Sequence, residues 1–133
     1  MVSGRTRMII VDDEPMMLAA WRKHLRDAKD LEVIAILERA DDLERHIPDD
    51  RDPIVVLLDL SMPGRDPLGA VRDIGRSRPN CRVVIYTGHG DAGAVAQAYA
   101  AGAWGFLSKL TSPADIIGTV RAVARGQTAY QTI

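Results

Sequence analysis

Residues 54–64 read Ile54-Val55-Val56-Leu57-Leu58-Asp59-Leu60-Ser61-Met62-Pro63-Gly64. Five apolar residues in succession, three of them β-branched, describe a strand buried on both faces, as in a parallel sheet. A carboxylate stands where the apolar run ends, and Pro63-Gly64 forces a turn just beyond it. In open α/β sheets, ligands and chemistry gather outside the carboxyl ends of the strands, which is where Asp59 falls. A single Asp in that place can equally be a residue that ends a strand and opens a loop. Asp59 gains chemical meaning only from what surrounds it.

The surroundings begin at the N-terminus. Met8-Ile9-Ile10-Val11 is a second short apolar strand, and it too runs into acid, at Asp12-Asp13-Glu14. If the two strands lie side by side in a parallel sheet, Asp12, Asp13 and Asp59 converge on one end. Like charges roughly 4 Å apart repel by about 4 kcal/mol at an effective dielectric near 20. Three carboxylates in one cleft therefore call for a cation or for raised pKa values. Mg2+ is the natural neutraliser, a hard ion that takes oxygen ligands and keeps positions open for water or phosphate. The alternative reading makes Asp12-Asp13 a helix N-cap followed by Pro15 at an early helical position; one loop can serve both purposes.

Outward from these two strands, helix and strand alternate along the whole chain. Met17, Leu18, Trp21 and Leu25 lie on one face of a helix expected over Pro15–Lys29. Leu31–Leu37 reads as a strand, Ala40–Ile47 as a short helix, and Pro48–Pro53 as a solvated connection. Asp66-Pro67 supplies a cap and first position for a helix through Val71 and Ile74. Arg76, Arg78 and Arg82 flank Pro79-Asn80 and read as a solvated turn. Arg82–Tyr86 is a fourth strand, running into Thr87-Gly88-His89-Gly90. Ala92–Ala101 is a helix built almost wholly of small residues, and Trp104–Ser108 is a fifth strand ending at Lys109. Ser112-Pro113 opens a last helix with Ile116, Ile117, Val120 and Val123 on its core face, and Gly126 stops it. Five strands alternating with helices specify an α/β fold, a doubly wound parallel sheet with helices on both faces.

The chain has 133 residues, enough for one domain with a substantial core. A hydrophobic content of 47% with 26% charged residues excludes a disordered chain. The net charge of −1 offers no basic footprint for nucleic acid. Cys81 is the single cysteine and cannot form an internal disulfide, in keeping with a reducing compartment. No apolar run approaches the ~18 residues of a membrane span. A cytoplasmic protein without membrane contact is the expectation.

The strand ends now read Asp12-Asp13, nothing chemical, Asp59, Thr87 and Lys109. Gathered in one cleft they suit phosphoryl transfer to a carboxylate. Asp59 is the nucleophile, Mg2+ and Lys109 neutralise charge on the phosphoryl oxygens, and Thr87 donates a hydrogen bond. Taken singly, Lys109 is also explained as a counter-ion and Thr87 as an ordinary strand end. The set Ile9–Pro15 (IIVDDEP), Leu57–Gly64 (LLDLSMPG), Thr87-Gly88 and Ala101–Lys109 (AGAWGFLSK) resembles the response-regulator receiver domain of two-component signalling. That resemblance covers nearly the whole chain. It implies a flavodoxin-like sheet of order 2-1-3-4-5, with Asp59 as phosphoacceptor and Asp12 and Asp13 as the acidic pocket. One of that pair, Asp59 and the backbone carbonyl of Ser61 would bind Mg2+. Lys109 would contact the phosphoryl group, and Thr87 and Phe106 would fill the switch positions.

Two departures refine the likeness. Leu110 follows Lys109 where many receivers carry proline, and the run from Phe106 to Pro113 is similar to the LuxR/NarL-type branch, whose outputs are helix-turn-helix DNA-binding domains. Phe106 stands where tyrosine is commoner, so no hydroxyl can bond outward. The implied function is a switch phosphorylated by a sensor histidine kinase, with promoted homodimerisation and with DNA bound only through a C-terminal output domain. Residues 1–126 would form the receiver and 127–133 a tail or the start of a linker. A stand-alone regulator acting by protein–protein contact is the alternative. A turnover phosphatase similar to the haloacid-dehalogenase superfamily would carry a second Asp two residues after the nucleophile, and that position is Ser61. A pseudo-receiver would lack one of the acids, the Thr or the Lys.

Overall fold

Along β3 (Ile54–Asp59) every residue is buried, and the side chains divide between two separate cores. Ile54, Val56 and Leu58 enter one, Val55 and Leu57 the other, as the two-residue period of a strand requires. A computed structural model of the chain describes residues 4–88 and 90–130. In it β3 is flanked by β1 (Thr6–Val11) and β4 (Cys81–Thr87), with β2 (Leu31–Leu37) beyond β1 and β5 (Gly105–Ser108) beyond β4. All these pairs are parallel. The expected flavodoxin-like order 2-1-3-4-5 is the core of the sheet.

Helices α1 (Pro15–Leu25) and α5 (Pro113–Ala124) cover one face, closing Leu18, Trp21, Ile116, Val120 and Val123 over Met8, Ile10, Leu57 and Tyr86. On the other face lie α2 (Leu43–His46), α3 (Pro67–Ser77) and α4 (Ala92–Ala101). Their Leu43, Val71, Ile74, Ala98 and Ala101 pack with Ile9, Val56, Ile85 and Phe106. Sequence-encoded caps set the starts of three of these helices. Asp66, Asp91 and Ser112 accept hydrogen bonds from the N–H groups of Gly69, Ala94 and Asp115, each satisfying a donor that the first turn leaves open.

Three local expectations change. Helix α1 stops at Leu25, four residues before Lys29, because a turn closes there: Ala28 donates to the Leu25 carbonyl, and Leu31 to that of Ala28. Glu14, with no side-chain cap, holds the N-cap position expected for Asp12-Asp13. Arg82 is no solvated turn residue. Its guanidinium lies 4.7 Å from the centroid of the Trp104 ring and donates to the carbonyls of Val123 and Ala124, at 2.9 and 2.7 Å. It thereby satisfies the C-terminal carbonyls of α5.

The tail that shows no pattern in the sequence contains β6 (Ala129–Tyr130), a sixth parallel strand beside β5; residues 131–133 lie outside the described residues. Ala129 donates to the Trp104 carbonyl at 2.9 Å, the Tyr130 hydroxyl donates to the Ala103 carbonyl, and the Tyr130 ring meets Tyr99 edge-on at 5.7 Å. This close approach depends on Gly105, where an added Cβ would stand 2.5 Å from the Ala129 carbonyl oxygen. Gly105→Val should therefore displace β6 and leave the other strands paired. Hydrogen exchange reads this directly: the Ala129 amide loses its protection while those of Ile10 and Leu57 keep theirs. Retained protection at Ala129 would refute the dependence on Gly105.

Candidate functional site

The parallel register carries Val11 beside Leu58 and Asp59 beside Tyr86, so the ends of β1, β3 and β4 open onto one place. Asp12 follows β1 and is wholly buried; Asp59, the last residue of β3, is 1% exposed. Lys109 follows β5 and crosses to both. Its Nζ lies 2.9 Å from Asp59 Oδ2, 3.2 Å from Asp12 Oδ2 and 2.6 Å from Glu14 Oε1, and its side chain is only 7% exposed.

The carboxylates are held from other directions as well. The Ser61 N–H donates to Asp59 Oδ1 at 3.0 Å, and the Glu14 N–H to Asp12 Oδ1 at 2.9 Å. The Tyr86 hydroxyl donates to Asp12 Oδ2 at 2.5 Å. Burial opposes the charge on Lys109, but hydrogen bonds to Glu14, Asp59 and Asp12 outweigh it and raise the ammonium pKa above its ordinary value. Burial, reinforced by the bond to Asp12, pushes the Tyr86 phenol upward too, so it stays a proton donor throughout the physiological range.

Thr87, also buried, has its hydroxyl 3.3 Å from that of Ser61, and its carbonyl accepts the Lys109 N–H at 2.9 Å. Phe106 is fully buried in the core beneath α4. Asp12, Asp59, Thr87 and Lys109 thus come together, with Ser61 beside them. Asp13 is exposed and stands outside the group. Glu14 joins the group, a residue that the pattern of the sequence does not single out, because the turn that bonds the Glu14 N–H to Asp12 brings residues 12 and 14 to one side. Tyr86 is a second residue that the sequence does not disclose. As the sixth residue of an apolar strand it reads as core, and only its pairing beside Asp59 reveals where its hydroxyl goes. His89, in the loop after β4, lies outside the described residues.

Asp12, Glu14 and Asp59 each offer a carboxylate oxygen, all within 4.8 Å of one another. An all-oxygen, anionic donor set matches a hard divalent cation such as Mg2+ and does not match metals that prefer thiolate or imidazole. Among the described residues no helix is long and apolar enough to cross a membrane.

Comparison with known proteins points to one family. The family model of the response regulator receiver domain matches residues 8–121. The response regulator UvrY of Escherichia coli (strain K12) is 32% identical over 120 residues, covering 90% of this chain and 55% of UvrY; the chain spans about half the length of the curated relatives it matches. A LuxR-family two-component response regulator from Aurantimonas sp. SI85-9A1 superposes with a TM-score of 0.80 at 28% identity, over 94% of this chain and 89% of that one. The signal receiver domain of NarL from Mycobacterium tuberculosis gives 0.81 at 26% identity, over 92% and 98%. The chain belongs to the response-regulator receiver family, in its LuxR/NarL-type branch.

Proposed function

We propose that this chain is a phosphorylation-controlled switch in which Asp59 accepts a phosphoryl group from a sensor histidine kinase. The observation that carries the reading is the convergence of buried Asp12, buried Asp59 and Lys109 at the carboxyl end of one parallel sheet. In the transfer an oxygen of Asp59 bonds to phosphorus while the bond from phosphorus to the donor nitrogen breaks, and the released imidazole keeps the electron pair. Lys109, already directed at the Asp59 carboxylate, is placed to follow the charge onto the phosphoryl oxygens. Thr87 and Ser61 supply two hydroxyls 3.3 Å apart. Asp12, Glu14 and Asp59 would hold Mg2+, with Asp13 and the Ser61 carbonyl as further oxygens of the same loops. The ion supplies positive charge that relieves the mutual repulsion of the acids and attracts the anionic donor.

The position two residues beyond Asp59 is Ser61 rather than a second carboxylate, and this favours a self-modifying switch over a turnover enzyme. The proposed output is supported by relatives that bear names of transcription regulators and of which this chain covers 55–61%. The receiver then extends through β6, which pairs with β5, a DNA-binding domain would follow it, and phosphorylation promotes self-association in the cytoplasm. Intact-mass analysis after incubation with acetyl phosphate tests the central step. The wild type should gain one phosphoryl group in Mg2+ and none in EDTA, and Asp59→Asn should gain none. Equal labelling of the two proteins would sink the assignment.

A further inference from the structure

We propose that Tyr86 is a positioning residue of this site, its hydroxyl holding the Asp12 carboxylate in the orientation that a divalent cation requires. The inference rests on the reading of the site as a Mg2+-dependent phosphoacceptor and adds a residue to it. Tyr86 has no exposed surface and its ring is packed in the core under α1 and α5, so its hydroxyl has one fixed position. From there it donates to Asp12 Oδ2 at 2.5 Å, while the Glu14 N–H takes Oδ1 at 2.9 Å. With each oxygen pinned by a separate donor, the plane of the carboxylate cannot rotate.

The same ring faces the site's cation, with Lys109 Nζ 5.2 Å from its centroid, inside the range of cation–π attraction. Tyr86 therefore touches an acid and the base of the cluster at once. An apolar side chain would fill this core position without the obligation to find a hydroxyl partner, and here the partner found is the most buried acid of the cluster. Outer-sphere hydrogen bonds of this kind orient metal-ligating groups, and losing one commonly lowers metal affinity by about 10–100-fold.

Two variants of the full chain separate this role from simple packing. Tyr86→Phe keeps the ring and removes only the hydroxyl; Tyr86→Leu removes both. Mg2+ affinity is measured by calorimetry, and thermal unfolding is followed in EDTA. Tyr86→Phe should bind Mg2+ about tenfold more weakly than the wild type while unfolding within a few degrees of it. Tyr86→Leu should show the same loss of Mg2+ affinity together with a much larger fall in melting temperature. If Tyr86→Leu does not fold, Tyr86→Phe alone decides. Wild-type Mg2+ affinity in Tyr86→Phe would overturn the proposal, whatever the change in melting temperature. A wild type that binds no Mg2+ and takes no label from acetyl phosphate would instead remove the phosphoacceptor reading, so the two failures are told apart.

Discussion

Lys109→Met should unfold at a markedly lower urea concentration than the wild type in EDTA and recover much of the difference when Mg2+ is added. Two of the three carboxylates that share this ammonium are buried, Asp12 completely and Asp59 at 1% exposure. In the wild type the pairing offsets what it costs to take those charges out of water. Removing one partner of a buried ion pair leaves an uncompensated charge, typically at a cost of about 3–5 kcal/mol, and methionine fills the volume without supplying charge. A cation bound to the same oxygens restores the balance. At a Mg2+ concentration 100 times its dissociation constant, binding stabilises the fold by about 2.7 kcal/mol. The wild type should respond less, because Lys109 already occupies the acids and must yield to the ion. Equal responses to Mg2+ would show that Lys109 and the ion do not share a site.

The pH dependence has a defined direction. Folding raises the Lys109 pKa above its ordinary value of 10.5, so the folded state holds the proton more tightly than the unfolded chain. Its contribution to stability is complete below about pH 10.5 and fades as the pH climbs through the higher folded value. The gap between wild type and Lys109→Met should accordingly be constant around neutrality and narrow only in strongly alkaline solution.

How far the sequence discloses this molecule depends on the range of the interactions involved. The buried strands are read from runs such as Ile54–Leu58 and Met8–Val11, because a short strand apolar on both faces fits the inside of a parallel sheet, while their order comes from the likeness to receiver domains. Asp12, Asp59 and Lys109 come next, since each ends a strand whose neighbours are known once the order is known. The features that escape are those decided by a turn or by another element. Glu14 is one of three consecutive acids until the Asp12–Glu14 turn brings it beside Asp12 and Asp59. Tyr86 is an ordinary strand residue until β3 and β1 place an acid at its hydroxyl. Strand β6 is two residues long, too short for any periodicity. Its position comes from the missing Cβ at Gly105 and the reach of Tyr130 to Ala103, both nonlocal. The early end of α1 is of the same kind, a chain reversal at Ala28 that delivers Leu31 to the sheet.

Phe106→Ala should be among the most damaging single changes outside the acidic site, costing about 3–5 kcal/mol in urea unfolding. The ring has no exposed surface and lies in the core under α4, whose inward residues are Ala98 and Ala101, with Ala103 following. The fully buried residues of that helix contribute only methyl groups, with Ala94 and Val95 partly buried beside them, so the ring supplies much of the apolar bulk beneath it. Its removal leaves a cavity that methyl groups cannot fill without moving the helix. Phe106→Tyr tests the same place by the opposite change. The added hydroxyl would enter an apolar core, and a buried donor left unpaired costs about 1–3 kcal/mol. The burial also bears on the proposed switch through Thr87 and Phe106. The ring lies fully inside, under α4, so the switch is expected to appear as movement of the lightly filled α4 over it. Amide exchange with and without beryllofluoride should show the largest change across Ala92–Ala101 in the wild type and a smaller one in Phe106→Ala, where the helix is already loosened. Identical changes in the two proteins, or a Phe106→Ala midpoint within experimental error of the wild type, would refute the packing role of the ring beneath α4.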